Sequence, residues 1–213
     1  MGVIELAKPK WRGVLHTGAA VLLIPLGLIL VSLGPTVRAR LALSVYVMGV
    51  GSMFTVSALY HRGQWSERAY SWYRRGDHST IFLAIAGSYT PIAALNTHGW
   101  VRPTLLILAW GGALVGIALQ WTPVRPQRWL FTAIYALVGW SAVIGFPQLL
   151  HGLGVASFVL IVAGGVSYTV GAVVYGRKSP DPIPEVFGYH EVFHALTILG
   201  AVCHYVAIFL SLR

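Results

Sequence analysis

Charge is scarce in this sequence. Asp, Glu, Lys and Arg together make up 10% of its 213 residues, against 56% hydrophobic residues. The mean hydropathy is +0.71. A chain of this composition has too little polar surface to cover a water-soluble globule, which excludes a soluble enzyme or a soluble binding module. Cysteine is nearly absent as well. A lone Cys203 rules out an intramolecular disulfide. There is no internal repeat and no low-complexity tract. The longest polar gaps, "RGQWSERAYSWYRRG" and "GRKSPDPIPEVFG", are loop-sized, so residues 1–213 read as a single membrane domain.

Long apolar runs are what the chain does contain. Crossing a hydrocarbon core takes about 20 helical residues. Runs of that kind fall at 14–33, 41–60, 78–95, 103–120, 129–146, 152–175 and 189–210. They are continuously apolar, whereas lipid-facing barrel strands alternate and are about half as long. The fold class expected is therefore all-α, a polytopic bundle of seven transmembrane helices. The first run follows basic residues but is long and lacks a small-residue cleavage site, so it reads as an uncleaved helix and not a signal peptide.

Basic residues set the orientation. Lys8, Lys10 and Arg12 precede the first run, Arg62, Arg68, Arg74 and Arg75 fill the second loop, Arg125 and Arg128 the fourth, and Arg177 and Lys178 the sixth. Those are eleven of the fifteen Lys and Arg, and the remaining four are Arg38, Arg40, Arg102 and Arg213. The positive-inside rule then puts the N-terminus in the cytoplasm and the C-terminus outside, in a multi-pass membrane protein. The formal charge of +9 is mostly this topology signal, and it also provides a contact surface for anionic lipid headgroups. Because the basic residues are dispersed over loops, no nucleic-acid partner is expected. Trp11, Trp100, Trp121 and Trp129 lie at span ends, as interfacial anchors do.

With that topology, three polar clusters separated in sequence meet at one membrane face. "SALYH" closes the second span with His61, "RRGDHSTI" opens the third with Asp77 and His78, and "GYHEVFH" opens the seventh with His190, Glu191 and His194. His190 and His194 are one helical turn apart, so both imidazoles leave the same face and can share a metal ion. Ser57 and His61 have the same spacing. Catalytic zinc usually takes three protein ligands and a water, which makes His61 the natural third ligand. Asp77 could hold or deprotonate that water. The H-E-x-x-H pattern is also that of zinc proteases, but here it sits in a membrane span with no peptide-binding domain.

The segments "VSALYHR", "GDHSTIFLAIAGSYTP", "LVGW", "GGVSYTVGAVVYGRKSPDPIPEVFGYHEVFH" and "HYVAI" resemble the hemolysin III family over nearly the whole chain. That bacterial family is related to the progestin and adipoQ receptors and, more distantly, to alkaline ceramidases. The resemblance implies seven helices with a cytoplasmic N-terminus, and a zinc held by His61, His190 and His194 with Asp77 near its water and Ser57 beside it. Adiponectin receptors often carry Gln at the position of Glu191. That residue is read here either as a second base or as a charge favoured by the dipole at a helix N-terminus.

Three functions follow as expectations. The first is an intramembrane zinc hydrolase in which Asp77 and Ser57 serve catalysis on a ceramide-like lipid amide or an ester entering from the bilayer. The second is a receptor or regulator of membrane state with zinc as a structural clamp. The third, ranked last, is the pore formation in the family's name, since a secreted pore-former should be soluble before insertion. Other histidines read more plainly. A single His at a helix end is usually a hydrogen-bonded interfacial residue, the reading taken for His16, His98 and His151. His204 lies about 15 Å deeper than His194 and bonds a neighbouring helix or lines a cavity. His78 faces about 100° away from Asp77 and is not a ligand. The glycine pairs 111–112 and 164–165 allow close helix packing.

Overall fold

The computed structural model describes residues 9–122 and 128–213, the side chains of Arg128 and Trp129 excepted. Lys8 and Arg125, and the side chains of Arg128 and Trp129, used above for orientation and anchoring, lie outside the described residues. The described chain is helical throughout, with one isolated bridge between Ile183 and Phe187.

The helices are α1 (Val14–Ser32), α2 (Val37–Arg62), α3 (Glu67–Asn96), α4 (Val101–Trp121), α5 (Arg128–Trp140), α6 (Phe146–Arg177) and α7 (Tyr189–Leu210), with a 3-10 turn at Ser141–Gly145 between α5 and α6. Among the described residues, six helical stretches are long and apolar enough to cross a membrane, not seven. The difference lies in 130–177, where the expected fifth and sixth spans merge into one helical run of 48 residues. A straight helix of that length would be about 72 Å long, more than twice a hydrocarbon core.

The run is not straight. Trp140 Nε1 donates to Thr169 Oγ1 at 3.0 Å, although 29 residues of straight helix would put them about 44 Å apart. The chain folds back between them, and the helical angles fail at Gly154, with φ 75° and ψ 160°. A left-handed φ of that size favours a residue without Cβ. The 3-10 turn leaves backbone groups without helical partners, and Tyr89 of α3 meets them. Its hydroxyl accepts from Ala142 N at 2.7 Å and lies 2.8 Å from the Gly139 carbonyl oxygen. Such compensation is what permits irregular backbone away from water.

Helix α3 starts eleven residues before the apolar run at 78 that marked it in the sequence. Ser66 caps it, its hydroxyl accepting from Ala69 N at 3.4 Å. Its first three turns carry Glu67, Arg68, Arg74 and Arg75. Charge on an exposed helix face does not break a helix, and it hides the helix from a hydropathy reading. At this end the Arg75 guanidinium lies 5.9 Å over the Trp121 ring, and Trp121 Nε1 donates to Ser79 Oγ at 3.2 Å.

The packing is built on α2 and α3. Leu43, Tyr46 and Val50 of α2 and Phe82, Ala86 and Ala93 of α3 are buried, with Leu105 and Ala109 of α4, Leu149 of α6 and Ile208 of α7 against them. Val21, Leu28, Ile107, Leu114, Val155 and Leu199 point outward, exposed apolar area that belongs in hydrocarbon. The crossing of α2 and α3 is close because glycines face each other. A Cβ on Gly49 would lie 2.5 Å from the Leu83 carbonyl oxygen, and one on Gly87 3.1 Å from that of Val45. Gly49→Val is therefore expected to lower stability by about 1–3 kcal/mol. Gly111→Ala, where nothing lies within 4 Å, should be near neutral. Thermal unfolding in detergent compares them; equal midpoints would show that the crossing tolerates separation.

The glycine pairs divide. In each, one member packs: a Cβ on Gly112 would meet Val138 and one on Gly164 the His204 ring, while Gly111 is open and Gly165 is only in ordinary contact with Trp140. His204 itself bridges helices, its Nε2 3.2 Å from the Ile161 carbonyl oxygen of α6.

Candidate metal centre

The alternation of helix direction puts the end of α2, the first half of α3 and the starts of α1 and α7 at one end of the bundle. The three histidines singled out by spacing come together there. Their candidate ligand atoms all lie within 4.8 Å of one another. His61 Nε2 and His190 Nε2 are 3.1 Å apart. Ring centroids are 4.6 Å apart for His61 and His190, 5.2 Å for His61 and His194, and 4.5 Å for His190 and His194. Nitrogens on two corners of a tetrahedral zinc site, each 2.0–2.1 Å from the ion, are separated by about 3.3 Å. The donor set and its spacing therefore fit a divalent metal of the zinc class. His190 and His194 are buried, and the edge of Tyr175 stands against His190 at 5.5 Å.

One turn before His61 on the same face of α2, buried Ser57 stands beside Asp77 of α3, its hydroxyl placed to donate to the carboxylate. Asp77 is outside the three-histidine group. The pair thus flanks the cluster at the next level of the bundle. His78 turns away, its Nδ1 2.7 Å from the Arg74 carbonyl oxygen.

Glu191, the acidic residue of H-E-x-x-H, is fully buried and has both oxygens engaged. Oε1 accepts from Arg12 Nε at 2.6 Å and Oε2 from Gly188 N at 3.0 Å, the carboxylate half of a capping box at the start of α7. A carboxylate held this way is a helix-terminal charge and an inter-helix tie. The reading of Glu191 as a second base loses its ground.

The tie reaches into the N-terminal segment. Lys10 N and Trp11 N donate to the carbonyl oxygens of Glu185 and Val186, each at 3.1 Å. Gly13 then passes over the end of α2 with φ 77°, where a Cβ would lie 3.0 Å from that of His61. One turn on, His16 lies flat on His194, ring centroids 3.8 Å apart and planes 7° apart. Its other neighbour is Phe54 at 5.1 Å. The hydrogen-bonded interfacial reading of His16 is overturned. The residue is 3% exposed, and neither ring nitrogen has a hydrogen-bond partner. His151 does follow that reading, with Nδ1 2.7 Å from the Pro147 carbonyl oxygen on an exposed helix end. Arg12 and His16 were missed as site residues, and helical spacing does not link them: Arg12 precedes α1, and Gly13 between them has φ 77°.

Compared with known proteins, the chain matches the haemolysin-III related family over residues 4–205. The chain belongs to the hemolysin III family. It is similar to hemolysin-3 of Bacillus cereus, 32% identical over 194 residues, 89% of this chain and 85% of that one. A hemolysin-3 homolog of Bacillus subtilis is 34% identical over 125 residues, 59% of this chain but only 56% of the relative's length. The heptahelical transmembrane protein ADIPOR2 of Oryza sativa subsp. japonica is 30% identical over 180 residues, 77% of this chain and 79% of that one. No solved structure matches the chain. This hemolysin III protein is thus a multi-helix membrane protein related to adiponectin receptors, with a buried histidine cluster at one end of its bundle.

Proposed function

We propose that this chain is an intramembrane metal-dependent hydrolase of a lipid amide or ester, with His61, His190 and His194 holding zinc at the cytoplasmic face of a bacterial inner membrane. The observation that carries this reading is the convergence of the three imidazoles at one end of the bundle, with Ser57 and Asp77 flanking them at the next level. Seven crossings with a cytoplasmic N-terminus go with it. The fold-back at Gly154 supports that number, because it lets 130–177 cross twice. The rice relative is itself named a heptahelical protein.

When bound, zinc would supply a Lewis acid for a carbonyl oxygen. The chain's residues do the rest. Asp77 takes a proton from the attacking water at a carboxylate oxygen and returns it to the leaving amine or alcohol. The acyl carbon gains a C–O bond and loses its C–N or C–O bond to the leaving group. Ser57 orients the carboxylate by its hydrogen bond, and the aromatic wall of Tyr175, Phe193 and Phe54 keeps the site dry.

A second reading, receptor or regulator of membrane state, is favoured by the way Arg12, His16 and the cluster pin α1, α2 and α7 together at one end. A metal there would act as a clamp. The assay that separates the two uses purified protein in nanodiscs with a fluorescent N-acyl lipid, a ceramide among them, and a matched ester. Hydrolysis is expected in the wild type and absent in His61→Ala. A zinc-loaded protein that releases no fatty acid from either class would assign the site to the clamp.

A further inference from the structure

A histidine is an odd residue to bury at position 16. Phenylalanine would fill the slot and stack on His194 equally well, leaving no polar atom unsatisfied. His16 has two unpartnered nitrogens in a site 3% exposed. One face of the ring stacks on His194 at 3.8 Å, and Phe54 stands against it, tilted, at 5.1 Å.

The geometry also says what those nitrogens do not do. The planes of His16 and His194 are 7° apart. In-plane lone pairs of parallel rings run in parallel planes and do not converge on one ion. His16 is accordingly outside the group of ligand atoms within 4.8 Å of one another. It sits against the ligand set through its stack on His194, and a site with three protein ligands keeps one position open for a bound molecule. A neutral imidazole carries one N–H donor and one acceptor.

Resting on the metal-centre reading above, we propose that His16 contacts the substrate. Its N–H donates a hydrogen bond to the carbonyl oxygen of the lipid amide or ester as that oxygen enters the position left open by His61, His190 and His194. Such a donor strengthens as charge develops on the oxygen, so His16 would serve the reaction as an oxyanion donor supplied by α1.

The test needs no turnover. The protein is loaded with cobalt(II), and its visible spectrum is titrated with a short alkyl hydroxamate, which offers a carbonyl oxygen to the ion. His16→Phe keeps the stack and removes the nitrogens. It is expected to retain the cobalt content of the wild type and to weaken hydroxamate binding by about tenfold, the loss of one hydrogen bond. His16→Gln, which keeps an N–H, should fall between the two. Hydroxamate binding by His16→Phe at wild-type strength would overturn the proposal and leave His16 as packing. Loss of cobalt from His16→Phe would overturn it in favour of direct ligation, and a wild-type cobalt spectrum indifferent to hydroxamate would overturn it as well. A wild-type protein that takes up no cobalt would remove both this inference and the metal-centre reading. Should Phe not be accommodated, His16→Leu, which also lacks the nitrogens, decides in the same way.

Discussion

Asp77→Asn should lower lipid hydrolysis by about 10²- to 10⁴-fold, the usual contribution of a general base, while metal content stays at the wild-type value. Asparagine keeps the shape of the side chain and can still accept the Ser57 hydroxyl through its amide oxygen, so the α2–α3 contact survives. What it cannot do is take a proton. Ser57→Ala should cost less, roughly tenfold, because the carboxylate remains and only its orientation is loosened. Turnover and metal analysis on the same preparations check both. If Asp77→Asn loses its metal or fails to fold, Asp77 is structural and the chemistry lies elsewhere.

The second large effect is on stability. Removing Arg12 by Arg12→Met leaves Glu191, fully buried, with Oε1 unpartnered and only the Gly188 amide on Oε2. Breaking a buried ion pair from one side costs about 3–5 kcal/mol. The lower end applies here, since the Arg12 side chain is 22% exposed. A fall in Tm of roughly 10 °C is expected, with part of it recovered when Glu191→Gln is added and the stranded charge disappears. Thermal unfolding of the two single variants and the double gives the coupling. Additive effects would show that the 2.6 Å contact contributes nothing beyond its separate halves.

These two effects mark where the sequence was readable. The apolar runs located α1, α4 and α7 closely, because continuous hydrophobicity is what a bilayer demands of a helix. They missed the first turns of α3, where Arg68, Arg74 and Arg75 lie on a helix that continues beyond its apolar stretch. They read 129–146 and 152–175 as two helices parted near 150. The structure parts α5 from α6 at the 3-10 turn and breaks the helical angles again at Gly154, since hydropathy registers polarity and not the backbone angle of one glycine. The cluster was legible because H-x-x-x-H places two rings on one face whatever the tertiary context, and His61 had only to come to the same depth. Arg12 and His16 were opaque for the opposite reason. A basic residue before a span already has a use in topology, and a lone histidine at a helix start is ordinarily a wet one. Their partners, Glu191 and His194, lie 179 and 178 residues away, so only folding reveals the match.

The central claim is that three histidines from two helices hold one metal ion. Elemental analysis of the detergent-purified protein, beside a His190→Ala/His194→Ala variant of equal helicity, tests it most directly. About one zinc per chain in the wild type, falling below roughly a tenth in the variant, is the predicted result. A well-folded wild type without metal, or a variant that keeps its full complement, would contradict it.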